Sequence, residues 1–179
     1  YGGSKIASEL IAFNYAKNHF RKMQVFRPHN IYGPDMGWKH VIPQFINKIQ
    51  KGVKSDYGRI KLNIQGNGEE TRAFCYVDDA VDGILTMYQN GESRKVYHVG
   101  NDHEISILEL AKIIGRNMNV DLDIIPGRIA IGGTPRRCPD ISRMRKIGYN
   151  PHFDIEEGIQ KTVNWYDNNQ INNLTNSLS

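Results

Sequence analysis

The sequence predicts an α/β fold. Short apolar runs with the period of strands alternate with longer stretches of helical period, and Gly and Pro punctuate the joins between them. The composition is that of a chain able to bury a core: 179 residues, 39% hydrophobic and 23% charged, far from the profile of a disordered segment. One domain or two small ones suit this length.

Each element has its own local warrant. From Ser4 to about Phe20 the residues Ile6, Leu10, Ile11, Phe13 and Tyr15 recur at helical spacing. Met23 to Phe26 reads as a short buried strand stopped by Arg27-Pro28. Asn30 to Lys39 is loop-like, broken by Gly33-Pro34 and Gly37. Val41, Ile42, Phe45, Ile46 and Ile49 make one helical stripe, and Pro43 is tolerated in the first turn. Ile60 to Ile64 alternates as a strand, and Gly66-Asn67-Gly68 turns the chain. Phe74 to Val77 is a further strand, after which Asp78 or Asp79 can cap a helix through Ile84, Leu85 and Tyr88.

Val96 to Val99 is a strand ended by Gly100-Asn101. Ser106 and Glu109 have capping-box spacing ahead of Leu110, Ile113 and Ile114. Leu122 to Ile125 is a strand closed by Pro126-Gly127. Asp154 and Glu157 repeat the capping-box spacing before Ile155, Ile159, Val163 and Tyr166. The polar tail from Asn168 is expected to fray.

Charge and cysteine usage narrow the function classes. Lys plus Arg number 23 and Asp plus Glu 19, a net +4. That surplus is mild and forms no long run, so nucleic acid is not an expected partner. No apolar run approaches the ~20 residues that span a bilayer, no signal-peptide pattern is present, and no membrane partner is expected. The two cysteines, Cys75 and Cys138, lie in no metal-binding spacing. No metal is expected, and two free thiols make a cytoplasmic location the default. The local basic group Arg136, Arg137, Arg143, Arg145 and Lys146 suits a phosphate-bearing small molecule, or equally the exposed face of a short helix.

Tyr1 and Lys5 are the first candidates for chemistry. Four residues apart at the start of a helix, they fall on one face, one turn apart. A nearby ammonium favours the phenolate and brings a tyrosine from about 10 towards neutrality. Such a phenol can exchange a proton with a hydroxyl. The spacing alone leaves an accidental pair open. Tyr57 and Lys61 repeat it, but run into a strand, where that spacing is about 13 Å.

The neighbouring motifs are more specific than the pair. Tyr1-Gly2-Gly3-Ser4-Lys5 is followed by Phe26-Arg27-Pro28-His29-Asn30-Ile31-Tyr32-Gly33-Pro34, then by the run from Gly66-Asn67-Gly68 through Thr71-Arg72-Ala73-Phe74-Cys75-Tyr76-Val77-Asp78-Asp79. Tyr97-His98-Val99-Gly100-Asn101, Arg137-Cys138-Pro139-Asp140-Ile141-Ser142, Gly148-Tyr149 and Trp165-Tyr166 come later in the same order. Together they resemble the extended short-chain dehydrogenase/reductase family, specifically its nucleotide-sugar epimerases, dehydratases and decarboxylases. The likeness runs from Tyr1 to about Tyr166.

That resemblance implies roles. Tyr1 would be the acid/base that exchanges a proton with a sugar hydroxyl, and Lys5 would hold the nicotinamide ribose and tune Tyr1. Hydride would pass between the sugar carbon and a nicotinamide ring, so the implied cofactor is NAD, with NADP left open. Pro28 and His29 would lie near the cofactor. Asn30 would face the nucleotide sugar, where the residue alone also suits a stabilised turn. The loop-to-helix segment with His40, Val41 and Ile42 would touch the nucleotide. Arg72 would grip the pyrophosphate, with Arg137 a second contact and Arg136 an equally plausible donor. Asp140 is better placed to cap the helix after it. Gln65 stands where many relatives carry an aromatic on which the base can stack, a departure that weakens a claim for uridine.

The glycine-rich G-x-x-G-x-x-G loop is not in this sequence, and neither is the Ser/Thr partner of the catalytic tyrosine, which in the family precedes it. The expectation is therefore a C-terminal fragment, in which 1–35 and 78–101 are the remnant of the NAD-binding Rossmann domain. Residues 36–77 and 102–167 would form a smaller α/β substrate-binding domain, and 168–179 a polar tail. The implied activity of the intact enzyme is an NAD-dependent nucleotide-sugar epimerase, with 4,6-dehydratase or UDP-glucuronate decarboxylase as alternatives. A non-catalytic nucleotide-sugar-binding module is the alternative of another class. The fragment alone is expected to be inactive, and the intact protein to be a homodimer through the helix 4–20.

Overall fold

The computed structural model describes residues 2–55, 59–128 and 132–175, side chains excepted at 54, 55 and 170–175. Tyr1 and Tyr57 lie outside the described residues. Helices and short strands alternate as expected: α1 (Gly2–His19), β1 (Gln24–Pro28), β2 (Ile31–Tyr32), α2 (Val41–Ser55), β3 (Ile60–Asn63), β4 (Thr71–Ala73), β5 (Cys75–Tyr76), α3 (Val77–Asn90), β6 (Lys95–Val99), β7 (Glu104–Ser106), α4 (Ile107–Asn117), β8 (Leu122–Ile125), β9 (Arg136–Arg137), α5 (Ser142–Lys146) and α6 (Ile155–Thr175).

Parallel pairing dominates, as in Rossmann-type folds. β1 runs parallel to β6 with Val25 opposite Val96, β2 to β5, and β3 to β8 with Leu62 opposite Ile124. The exception is a three-stranded piece in the order β7-β4-β9, where β7 is antiparallel to β4 and β9 parallel to it.

Two apolar clusters hold these pieces. The larger gathers the stripe of α2 (Ile42, Phe45, Ile46, Ile49), Leu62 of β3, Leu110 and Ile114 of α4, and Ile159, Val163 and Tyr166 of α6. These are the positions that the helical and strand periods mark, and burying them removes the apolar surface that drives folding. The smaller joins Cys75, Ala80, Met87, Tyr97 and Val99 to Ile141, Met144 and Tyr149. Tyr149 Oη donates to the Gly100 carbonyl at 2.9 Å, which ties the α5 region to the end of β6.

Several local expectations need correction. β1 is not a buried strand: Phe26 is 44% exposed, and the strand continues through Pro28. Among the described residues β1 pairs with β6 alone, so no ladder partner there needs an N–H from Pro28. On α3 the inward face is Asp79, Ala80, Gly83 and Met87, whereas Leu85 and Tyr88 point to solvent. Neither Asp78 nor Asp79 caps α3; Tyr76 occupies the cap position without a side-chain bond. Asp79 is instead buried and accepts from the backbone N–H groups of His152 and Phe153 at 2.8 and 3.1 Å. The expected strand at Phe74 to Val77 is β5 alone; β2 lies within the stretch read as a loop from Asn30 to Lys39, and β4, β7 and β9 lie outside every strand the sequence predicts. α6 carries helical backbone past Asn168 as far as Thr175, where a frayed tail was expected. On α1, whose inward face no expectation had fixed, Ile6, Leu10, Ile11 and Tyr15 are exposed, Phe13 is half-buried and Ala16 is the buried residue.

Candidate functional site

The three-stranded piece places two arginines side by side. Arg72 of β4 and Arg137 of β9 are register partners in a parallel pair, so their side chains leave the sheet on the same face. Thr71 and Arg136, one residue earlier, fall on the other face, where Glu104 receives Thr71 Oγ1 at 2.8 Å and pairs with Arg136 at 2.6 Å. Arg136 is thus committed to a carboxylate of its own sheet. Arg72 is held below the ordinary arginine range, first by burial and then by the like charge of Arg137, with Glu70 opposing. Its Nη1 is anchored on the Thr71 carbonyl at 2.7 Å and reaches that of Pro135 at 3.3 Å.

Both guanidinium groups line a cavity of about 370 Å³ whose other walls include Asn30, Val41, Gln65 and Glu70. Lys39, just ahead of α2, and Gln44, Phe45 and Lys48 from its first turns also line it. α2 stands here because its stripe packs inward, which leaves the flank carrying Val41, Gln44 and Lys48 to the cavity. Lys48 Nζ donates to the Asn63 carbonyl at 2.8 Å, so the helix is also pinned to the end of β3.

Asn30 links this cavity to a second hollow. It follows β1 in the left-handed region, φ 43°, a conformation asparagine tolerates better than most residues. Its Nδ2 donates to the Ala73 carbonyl at 2.9 Å, and its own carbonyl accepts from Cys75 N–H at 3.2 Å. Both the stabilised turn and the cavity wall are therefore served by one residue. The second hollow, about 480 Å³, is lined by Pro28, His29, Asn30, Arg136, Arg137 and Cys138, at the carboxyl end of β1, where ligands of parallel α/β folds sit. His29, from the wall of this hollow, meets His98 of β6, Nε2 to Nδ1 at 2.6 Å. Burial is the main reason that both are held below the ordinary imidazole value.

Of the residues singled out from sequence, Asn30, Val41, Arg72 and Arg137 meet in the first cavity and Pro28 and His29 in the second. His40 and Ile42 do not join them: His40 is exposed just ahead of α2, where its neighbour Lys39 lines the cavity in its place, and Ile42 is fully buried in the core. Lys5 is exposed on α1 and lines neither hollow. Asp140 does accept from Ser142 N–H at 2.8 Å at the start of α5. The basic group around it disperses, with Arg145 on Asp102 at 2.8 Å and Arg143 on the Val96 carbonyl at 2.6 Å. Sequence reading missed Lys39, Lys48 and Glu70; the lysines flank the apolar stripe at its polar edge, and that flank was the available signal. Among the described residues no group of His, Cys, Asp and Glu is placed to hold a metal, and no helix is long and apolar enough to cross a membrane.

The parallel strands, the crossover helices and a cationic cavity beside the strand ends define a Rossmann-type α/β protein. The sequence places it further: residues 1–100 match the profile of the NAD dependent epimerase/dehydratase family, and the chain belongs to that family. It is 30% identical over 177 residues to the GDP-L-fucose synthase of Sinorhizobium fredii, covering 97% of this chain and 56% of that protein. It is 28% identical to the dTDP-glucose 4,6-dehydratase of Streptomyces antibioticus, covering 95% and 49%. The chain thus spans about half the length of the curated relatives it matches. The crystal structure of DesIV, the dTDP-glucose 4,6-dehydratase of Streptomyces venezuelae with NAD bound, superimposes with a TM-score of 0.78 at 27% identity, over 95% of this chain and 51% of that one. The UDP-glucose 4-epimerase of Thermotoga maritima shares the fold, with a TM-score of 0.83 at 24% identity over 95% and 54%.

Proposed function

We propose that this chain forms the substrate side of an NAD-dependent nucleotide-sugar epimerase, with the first cavity taking the nucleoside diphosphate. The observation that carries the reading is the in-register pair Arg72 and Arg137 in one cavity. Two adjacent guanidinium groups repel each other until an anion bridges them, and their planar forks match phosphate oxygens. Asn30 and Val41 wall the same space, and Pro28 and His29 border the adjoining hollow, which has room for the nicotinamide end of a dinucleotide. Lys5 would hold the nicotinamide ribose. NAD, when bound, supplies the hydride acceptor. Tyr1 would take the proton from the sugar hydroxyl as it is oxidised and return it on reduction. Residues 36–77 and 102–167 would then be the substrate-binding part, and the outward apolar face of α1 the homodimer surface.

A second reading within the family is a 4,6-dehydratase, favoured by the enzymes of that name at 28 to 31% identity. Transient oxidation of the sugar is common to both, and product analysis of the intact enzyme separates them. The cavity itself is tested by calorimetry with UDP, dTDP and GDP. Binding of at least one is expected, weakened about tenfold to a hundredfold by R72A, the scale of a hydrogen bond to a charged group. Failure of all three to bind overturns the reading. These 179 residues alone are expected to bind dinucleotide poorly, and tight NAD binding by them would contradict that.

A further inference from the structure

Among the described residues, Glu70 is the one carboxylate of the charged side chains that line the first cavity, with Lys39, Lys48, Arg72 and Arg137. Its backbone is fixed: the carbonyl accepts from Ile107 N–H at 3.0 Å. The side chain folds over the turn at Gly66, where a Cβ would lie 2.7 Å from Oε1. Gly66 has φ +65° and no side chain, so it permits both the turn and the close approach. Oε2 is shielded from solvent, and it has no hydrogen-bond partner among the described residues. A carboxylate oxygen withdrawn from water without a donor is costly, so such a group calls for an explanation.

A carboxylate only accepts hydrogen bonds, so it can do nothing for a phosphate except repel it. Its place in an otherwise cationic cavity makes sense if it meets the part of the ligand that carries donors. Resting on the reading of this cavity as a nucleoside diphosphate site, we infer that Glu70 selects the nucleoside by accepting hydrogen bonds from O–H or N–H donors on it. Two parts of a nucleotide offer such donors: the ribose 2′-hydroxyl, and the amino edge of a base such as guanine. Gln65, the other polar side chain of this turn in the cavity wall, carries an amide that can both donate and accept beside it.

The test is calorimetry on the full 179-residue chain with two matched pairs, UDP against dUDP and GDP against IDP, and with inorganic pyrophosphate. The members of the first pair differ only in the 2′-hydroxyl and those of the second only in the 2-amino group. In the native chain at least one pair should separate by about tenfold or more, because a site built to receive a donor rejects the analogue lacking it. Which pair separates identifies the donor. E70A should reduce that separation to within about threefold, whereas E70Q, whose amide oxygen still accepts, should keep part of it; in both, pyrophosphate should bind as tightly or more tightly, since a negative charge has left the cavity. The inference is overturned if neither pair separates, if E70A keeps the native selectivity, or if the variants weaken pyrophosphate as much as the nucleotides. If no nucleotide and no pyrophosphate binds, the reading of the cavity itself fails, and the role of Glu70 falls with it.

Discussion

Asp79 sits in the first turn of α3, where an acidic residue looks like a cap or a partner for the helix dipole. Its side chain turns inward, is almost fully buried, and receives two backbone N–H groups from His152 and Phe153. It thus fastens the segment ahead of α6 to α3. D79A would leave both donors buried without an acceptor and should lower stability by about 3 kcal/mol; urea titration reads it directly. An unchanged midpoint would show that the two bonds contribute nothing. The candidate site was legible to a similar, partial degree. Arg72, Arg137, Asn30 and Val41 could be named from ordered motifs, and they do meet. Glu70 could not, because an acidic residue after a glycine turn looks solvated until the backbone folds it back over Gly66.

At the scale of elements, helices with a narrow apolar stripe could be read and those without one could not. α2, α4 and α6 bury the residues their periodicity marks. α3 carries apolar residues on more than one face, so spacing could not say that Met87 goes in and Leu85 out. β4, β7 and β9 have two or three residues each, too few for alternation to register; they exist because a neighbour supplies hydrogen bonds. The start of α4 was readable in detail. Ser106 Oγ accepts from Glu109 N–H at 3.0 Å, while the Glu109 carboxylate turns to Arg116 at 3.3 Å instead of closing the box. S106A should therefore cost about 1 kcal/mol, the usual value of a lost N-cap, whereas E109A, whose pair with Arg116 is exposed and screened by water, should cost clearly less. Thermal melts of the two variants separate these outcomes, and equal losses would argue for a complete capping box.

The whole molecule should be most stable in a window of pH bounded by half-buried imidazoles on the acid side and buried thiol and phenol groups on the alkaline side. On the acid side, His29 and His98 are lowered from 6.5, chiefly by burial. The two rings meet at 2.6 Å across the ends of β1 and β6, with Arg27 and Arg143 adding positive charge and Glu9 and Asp140 opposing it at His98. A lowered imidazole means that the folded chain binds fewer protons than the unfolded one. Stability is then fully present above pH 6.5 and declines as the pH falls from there towards the lowered folded value. Glu9, Glu104 and Asp140 are lowered by bonds to Arg27, Arg136 and Ser142 respectively, so a further loss begins below about pH 4.5. On the alkaline side, burial raises the Cys75 thiol from 9.0 to about 11 and Tyr166 from 10.0 to about 12, and pushes Tyr32 and Tyr149 higher still. Stability from these groups is intact below their ordinary values and is lost as the pH climbs through the raised ones. Urea midpoints taken from pH 4 to 11 should trace a plateau between about 6.5 and 9 with a fall on either flank. H98N removes the clash of two imidazolium ions and should flatten the first part of the acid flank while leaving the alkaline flank unchanged. An acid flank that keeps its shape in H98N would place the proton uptake elsewhere.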